Sequence, residues 1–204
     1  MLKIGITGSI GSGKTTVCTM FEILCINVYH ADTEAKKFLN KESVKKKIKY
    51  LFSDSIFDKN GNVDNKILAS IVFNNPHSLE KLNSLIHPLV KSDFDIWLKK
   101  YKKKKFILHE AAIIFESGFY KDFAAIITVS APKDLRIKRI KQRDNITEQE
   151  ILNRMKFQLS DEEKIKKADF VIYNDEQQLL IPQVLKIHKE LINKSQLKPL
   201  TRRI

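Results

Sequence analysis

Residues 8–15 read Gly-Ser-Ile-Gly-Ser-Gly-Lys-Thr and combine three glycines with a lysine and a hydroxyl side chain. They satisfy G-x-x-x-x-G-K-[ST], a pattern whose backbone wraps around phosphate groups with its N–H groups pointing inward. Lys14 can reach the outer phosphates, and the hydroxyl of Thr15 can bind Mg²⁺. An apolar run precedes the motif and a helix-compatible stretch follows it, so it predicts a nucleoside triphosphate site at a helix N-terminus.

The rest of the sequence favours a small-molecule kinase over a GTPase. A GTPase would carry Asn-Lys-x-Asp, and neither 65–68 nor 193–196 supplies the aspartate. Asp32 follows the second apolar run, and ligands of open α/β sheets bind at such strand ends. A carboxylate there can accept a hydroxyl proton or position the acceptor and metal. The alternative for Asp32 is the N-cap of a helix over 33–39.

Four of the six arginines lie between residues 136 and 154. Arg136, Arg139 and Arg143 are spaced i, i+3 and i+7, which is one face of a helix, and Arg154 belongs to the next helical pattern. Arginines on a closing segment supply positive charge around a moving phosphoryl group and exclude water. We interpret the cluster as functional, although a solvated basic face has the same pattern.

Two more residues have both a functional and a structural interpretation. Glu110 ends the third predicted strand, where it could orient metal or acceptor, or form a structural hydrogen bond or helix cap. His87, directly before Pro88, lies on an otherwise apolar helix end, where a satisfied core histidine is the usual interpretation. Spacing leaves both alternatives open.

The 204 residues, of which 43% are hydrophobic and 30% charged, suit one folded domain with insertions and exclude a disordered or collagen-like chain. The formal net charge of +13 favours polyanions, without choosing among nucleic acid, nucleotides and acidic lipid. Cys18 and Cys25 lack the spacing of zinc ligands or a disulfide framework. No apolar run approaches the roughly 20 residues of a membrane span. We therefore expect a cytoplasmic protein.

Hydrophobic patterning predicts an α/β three-layer fold with about five parallel strands. A helical insertion occupies 33–105, in which Asp64 caps a helix, Pro76 opens another and Pro88 breaks the chain. A second helical interval, 132–167, looks like a mobile cover, and a basic tail, 194–204, is expected to fray. The predicted strands are Leu2 to Thr7, Ile26 to His30, Phe106 to His109, Ala125 to Val129, and Phe170 to Tyr173.

Together these residues resemble the dephospho-coenzyme A kinase family, from about residue 2 to residue 190. The glycine-rich motif is shared by many families, whereas His87-Pro88, Phe115-Glu116 and the element 168–174 are narrower signals. The matching stretches are Ile6 to Val17, Asp32 with Ala35, Leu85 to Val90, Ile113 to Gly118, Lys138-Arg139, Gln142 to Asp144, Arg154 to Gln158, and Ala168 to Asn174.

The resemblance implies transfer of the ATP γ-phosphate to the ribose 3′-hydroxyl of 3′-dephospho-coenzyme A, giving coenzyme A and ADP in the last step of coenzyme A synthesis. It implies a P-loop fold similar to nucleoside monophosphate kinases, as one domain over 1–204. The range 33–105 would be the acceptor insertion and 132–167 the lid. Mg²⁺ would accompany ATP, and we expect a monomer with neither nucleic acid nor a membrane as partner.

Combined with the motif, the resemblance assigns a role to each candidate residue. The predicted catalytic residues are Asp32, Lys14, Arg139 and Arg143. The predicted nucleotide-binding residues are Gly8, Gly11, Ser12, Gly13, Lys14, Thr15, Thr16 and Asn174, with Thr15 at the metal. The predicted acceptor-binding residues are Asp32, His87, Glu110 and Arg154.

The chain departs from the family pattern at three places. Ser9 stands where a second glycine is common, and the stretch 111–114 replaces the usual Pro-Leu-Leu. Asp175-Glu176 stands where a glycine is frequent, which leaves the adenine contacts near Asn174 open.

Two other functions remain as alternatives. A nucleoside or nucleotide kinase would consume a nucleoside monophosphate, and a nucleic-acid-binding ATPase would show affinity that falls steeply with salt.

Overall fold

The computed structural model describes residues 1–196, and in it five strands form one parallel sheet. The predicted α/β fold with five parallel strands is confirmed. β3 and β4 are buried at every residue, which explains why both read as continuous apolar runs. The strands are β1 (Leu2–Thr7), β2 (Val28–His30), β3 (Phe106–Glu110), β4 (Ala125–Ser130) and β5 (Phe170–Tyr173).

All neighbouring strands are parallel, in the order β2-β3-β1-β4-β5. The carboxyl ends of the strands therefore share one edge of the sheet, which is where ligands of such sheets bind. The helices are α1 (Lys14–Ile23), α2 (Ala31–Leu39), α3 (Glu42–Phe52), α4 (Asn65–Val72), α5 (Pro76–Lys99), α6 (Lys133–Asp144), α7 (Glu148–Met155), α8 (Asp161–Lys167) and α9 (Leu180–Gln196).

The chain forms two compact units, of which one comprises Met1–His30 and the chain from Lys100 onward. This first unit contains the sheet. On one face, α1 and α9 bury a cluster that includes Ile4, Phe21 and Ile127. On the other face, α8 and the segment 111–123 cover the sheet. Helices on both faces complete the three layers.

The second unit, Ala31–Lys99, contains the helices α2 to α5. α2 and α4 both pack on α5. The Asp64 carboxylate caps α4 by accepting from the backbone N–H of Lys66 at 2.8 Å, as predicted. The unit corresponds closely to the stretch predicted as a helical insertion.

The predicted break at Pro88 is wrong, because α5 continues through it to Lys99. A proline inside a helix removes one backbone hydrogen bond and costs about 3 kcal/mol. Packing overrides this local preference here, since Ile86 precedes the proline and Val90 and Phe94 follow it on the buried side of the helix.

The predicted fraying of the C-terminal tail is also wrong for its first residues. α9 extends to Gln196 and buries Leu191. The remainder of the predicted tail lies outside the described residues. Within residues 1–196, no helix has both the length and the apolar character needed to cross a membrane.

Candidate active site

The phosphate-binding loop, residues 8–13, joins the end of β1 to the start of α1. Gly13 is the N-cap of α1 with φ at 89°, and a Cβ there would collide with the Asn174 side-chain amide. Gly11 has φ at 82°, and a Cβ there would lie 2.7 Å from the carbonyl oxygen of Arg136. Both the backbone angles and the neighbouring atoms therefore require glycine.

This loop leaves a set of backbone donors available to a ligand. Among residues 1–196, no acceptor pairs with the N–H groups of Gly11, Gly13, Lys14, Thr15 and Thr16. Lys14 Nζ donates to the Gly8 carbonyl at 3.0 Å, which holds the ammonium group against the loop. Free donors at a helix N-terminus beside a lysine form a binding site for a polyphosphate.

Glu110 occupies the end of β3 and is almost fully buried. Its Oε2 lies 3.4 Å from Nδ1 of His30, whose Nε2 lies 3.3 Å from Oε1 of Glu22. The hydrogen bond to Glu110 raises the pKa of His30. Burial raises the pKa of the neighbouring Cys18 thiol, and Glu110 adds to that effect. Glu110 thus bonds to a histidine. This is the structural hydrogen bond that the sequence offered as one of the alternatives for Glu110.

Asp32 lies in the first turn of α2, which begins at Ala31, directly after the end of β2. Its predicted alternative role as the N-cap of that helix does not hold, because Asp32 is inside the helix. A carboxylate in the first turn is nonetheless favoured by the helix dipole. The side chain is exposed, as a residue acting on a ligand must be before binding.

His87 lies in the middle of α5, half-buried on the helix. Burial lowers the pKa of its imidazole, so the ring is uncharged at neutral pH. An uncharged ring interacts with a ligand by hydrogen bonding and packing and contributes no positive charge. Its acceptor-binding role stays a prediction.

Arg139 on α6 is connected to the phosphate-binding loop through Asn174. It donates to the Asn174 carbonyl at 3.2 Å and pairs with Glu176 at 3.1 Å, while Asn174 Nδ2 donates to the Ser12 carbonyl at 2.8 Å. Glu176 has φ at 65°, the left-handed conformation expected where the family often has glycine. Asn174, predicted to bind nucleotide, here contacts the loop itself.

The other three arginines differ in their surroundings. Arg143 donates to Asp144 at 2.6 Å, and Arg154 lies 3.7 Å from the same carboxylate, so Asp144 joins two of the predicted arginines. The hydrogen bond to Asp144 raises the pKa of Arg143. Arg136 is buried and donates to the Ala131 carbonyl at 3.0 Å. Arg136 therefore differs from Arg139 and Arg143 in being buried, and the functional role predicted for it stays a prediction.

A family model for dephospho-CoA kinase matches residues 2–179. The chain belongs to the dephospho-CoA kinase family. The resemblance seen in the sequence is confirmed, including the narrower stretches beyond the phosphate-binding loop.

Curated proteins and solved structures that are similar to this chain include dephospho-CoA kinases. The dephospho-CoA kinase of Bacteroides fragilis is 38% identical over 187 residues, which is 91% of each chain. That of Fusobacterium nucleatum is 44% identical over 175 residues, 86% of this chain and 90% of its own. The solved structure of dephospho-CoA kinase from Campylobacter jejuni is 29% identical, with a TM-score of 0.66, over 94% of this chain and 98% of its own.

Sequence analysis of this dephospho-CoA kinase family member missed a buried ion pair, between Lys164 and Glu116. Lys164 on α8 is fully buried, lies 3.0 Å from Glu116 and donates to the Ala112 carbonyl at 3.0 Å. Burial lowers the pKa of Lys164, and the carboxylate opposes that shift. The resemblance included Glu116, but only the fold shows its partner, 48 positions away in the numbering. A lysine in a run of charged residues gives no signal of burial.

Proposed function

We propose that this chain transfers the γ-phosphoryl group of ATP to the ribose 3′-hydroxyl of dephospho-coenzyme A with Lys14, Asp32 and the lid arginines as its working groups. The activity itself, ATP-dependent phosphorylation of dephospho-coenzyme A in coenzyme A biosynthesis, follows from membership of the family. The observation that supports the residue assignment most strongly is the set of unpaired loop N–H groups beside Lys14.

On the donor side, the loop N–H groups and Lys14 bind the ATP phosphates and stabilise the charge that spreads over the transferred group. The hydroxyl of Thr15 is exposed and, among the described residues, makes no hydrogen bond, which fits a metal-binding role. Mg²⁺, when bound, neutralises charge on the β- and γ-phosphates. Arg139, Arg143 and Arg154 add positive charge, and Asp144 orients the last two.

On the acceptor side, Asp32 takes the proton of the ribose 3′-hydroxyl at a carboxylate oxygen while the hydroxyl oxygen attacks the γ-phosphorus. ADP leaves, and the 3′-phosphate of coenzyme A forms. The exposed position of Asp32 in the first turn of α2, after β2, supports this assignment. His87 and the unit of residues 31–99 would bind the acceptor, with His87 as an uncharged hydrogen-bonding group. Glu110 supports this end of the sheet through its bond to His30.

We also propose that the enzyme works in the cytoplasm. Cys18 and Cys25 are both free thiols, which a reducing compartment preserves.

The test is to incubate the purified chain with Mg²⁺-ATP and dephospho-coenzyme A, and in parallel with nucleoside monophosphates, while following ADP and coenzyme A. We expect coenzyme A and ADP in equal amounts from dephospho-coenzyme A and little ADP from the monophosphates. Consumption of a monophosphate, with dephospho-coenzyme A inert, would contradict the acceptor.

A further inference from the structure

The outer half of the phosphate-binding loop is held by side chains from a distant segment. The backbone N–H of Ile10 donates to Gln158 Oε1 at 2.9 Å, and the Ser9 hydroxyl donates to Asp161 Oδ1 at 2.6 Å. Both partners lie about 150 positions away, in the stretch that includes the start of α8. Neither side chain is part of the predicted nucleotide or acceptor sites.

Asp161 connects the loop to the sheet as well. Its second oxygen accepts from the Ser130 hydroxyl at 2.7 Å, at the end of β4, and Arg136 Nη2 lies 4.0 Å from Oδ1. The carboxylate is nine-tenths buried, and Ser9 and Ser130 are buried too. Hydrogen bonds to an ionised, buried acceptor are short and strong. Ser9, the departure from the family's glycine, thereby gains a partner that glycine could not have.

The segment that carries these two side chains is itself anchored. The backbone N–H of Leu159 donates to Glu116 Oε1 at 2.8 Å, and Glu116 pairs with the buried Lys164. Lys164 in turn donates to the Ala112 carbonyl after β3. Gln158 and Asp161 therefore act from a segment that is anchored to the sheet-containing unit through Glu116 and Lys164.

These bonds determine which loop donors face a nucleotide. The Ile10 N–H is taken by Gln158, while those of Gly11 and Gly13 to Thr16 remain available. A loop already fixed in its binding conformation loses less entropy when the ligand arrives. We propose that Gln158 and Asp161 are positioning residues, which hold the phosphate-binding loop in its nucleotide-binding conformation. This inference rests on the proposed role of the loop as the ATP site.

Nucleotide binding by the full chain tests the inference apart from catalysis. We would measure the Kd of ADP by calorimetry, the KM values and the melting temperature for Gln158→Met and Asp161→Ala. We expect the Kd of ADP and the KM of ATP to rise about tenfold, since each variant removes an acceptor from a buried donor. The KM for dephospho-coenzyme A stays unchanged. Gln158→Glu keeps a carboxyl oxygen for Ile10 and restores much of the affinity.

Asp169→Ala is the matched control, because the Asp169 carboxylate accepts from the backbone N–H of Ile126 at the opposite ends of the strands. It lowers the melting temperature and leaves the Kd of ADP unchanged. If Gln158→Met and Asp161→Ala bind ADP as the wild type does, the positioning role is wrong. If the wild type itself fails to bind ADP, the proposed ATP site is wrong.

A double-mutant cycle separates action through Ser9 from direct action on the nucleotide. Ser9→Ala and Asp161→Ala are combined, and the Kd of ADP is measured for all four proteins. We expect the double variant to be little worse than the weaker single variant, because the two residues act through one bond. Additive losses would overturn the route through Ser9. Should Asp161→Ala fail to fold, Gln158→Met and Ser9→Ala carry the test.

Discussion

The phosphate-binding loop and the helical unit of residues 31–99 offer ligands different kinds of groups. The loop presents mainly backbone N–H groups, with the positively charged side chain of Lys14 beside them. The helical unit presents side chains, of which Asp32 on α2 and His87 on α5 are the candidates. Substitutions other than proline leave a backbone N–H in place, so the loop depends on the contacts that fix its conformation. A site made of side chains depends on single residues.

The largest effect is therefore expected in the helical unit, at Asp32. Asp32→Asn removes the proton acceptor and should lower kcat by about two to four orders of magnitude. The Kd of ADP should stay as in the wild type, since the proposed role of Asp32 is on the acceptor side. Single-turnover kinetics with calorimetry of ADP binding measure both.

Asp95→Asn is the control for Asp32→Asn, because it neutralises an exposed carboxylate on α5 whose contact with Lys91 is long, at 3.9 Å. It should leave kcat unchanged. If Asp32→Asn keeps the wild-type kcat and has only a lower melting temperature, the carboxylate has a structural role. The helical unit would then not be a site that depends on this side chain, as the comparison with the loop requires.

The loop's own charged side chain gives the next largest effect. Lys14→Ala should lower kcat/KM for ATP by about two to three orders of magnitude, because the transferred group loses a preorganised positive charge. The fold should persist, since within residues 1–196 the Lys14 ammonium group bonds only to the Gly8 carbonyl. Initial rates at varied ATP are the measurement, with the exposed Lys121→Ala as control. Near-normal turnover in Lys14→Ala would exclude the loop as the phosphate site.

The sheet and the loop could be predicted because their signals are local. β1 to β5 are short apolar runs, and the loop's glycine spacing is dictated by its backbone angles at Gly11 and Gly13. The error at Pro88 has the opposite origin, since a local rule was overridden by packing of Ile86, Val90 and Phe94.

The site's partners could not be predicted because they depend on long-range contacts. Glu110 meets His30 from 80 positions away, and Asp161 meets Ser9 from 152. Periodicity also placed Arg136 with the functional arginines, because it shows which residues share a helix face without showing what that face contacts. These relations appear only once the strands are assembled.

A smaller effect is expected in the core of the sheet, where the free energy of unfolding should depend on pH. His109 on β3 is buried between Tyr29 and Phe123, and burial lowers its pKa to about 4 from the ordinary value of 6.5. Between these pH values the unfolded chain binds a proton that the folded chain does not. The free energy of unfolding should therefore fall as the pH drops below 6.5, by about 3 kcal/mol at pH 4 from this residue.

Urea unfolding of the wild type and His109→Gln at several pH values measures that contribution as the difference between the two curves. The variant is less stable at neutral pH but loses less stability in acid. The exposed His77→Gln is the control and should follow the wild type. Parallel curves for wild type and His109→Gln would contradict the buried, uncharged histidine.

The smallest effect is expected at His87, which tests whether the helical unit binds the acceptor. His87→Gln keeps a hydrogen-bonding group but shifts it, and should raise the KM for dephospho-coenzyme A about tenfold, the loss of roughly one hydrogen bond. The KM for ATP should not change, because the proposed nucleotide site is the loop. His77→Gln, on the same helix but exposed, should leave both KM values unchanged. A lower melting temperature with unchanged KM values would show that His87 is a core residue. Asp32 would then be the one remaining candidate for a ligand-binding side chain in the helical unit.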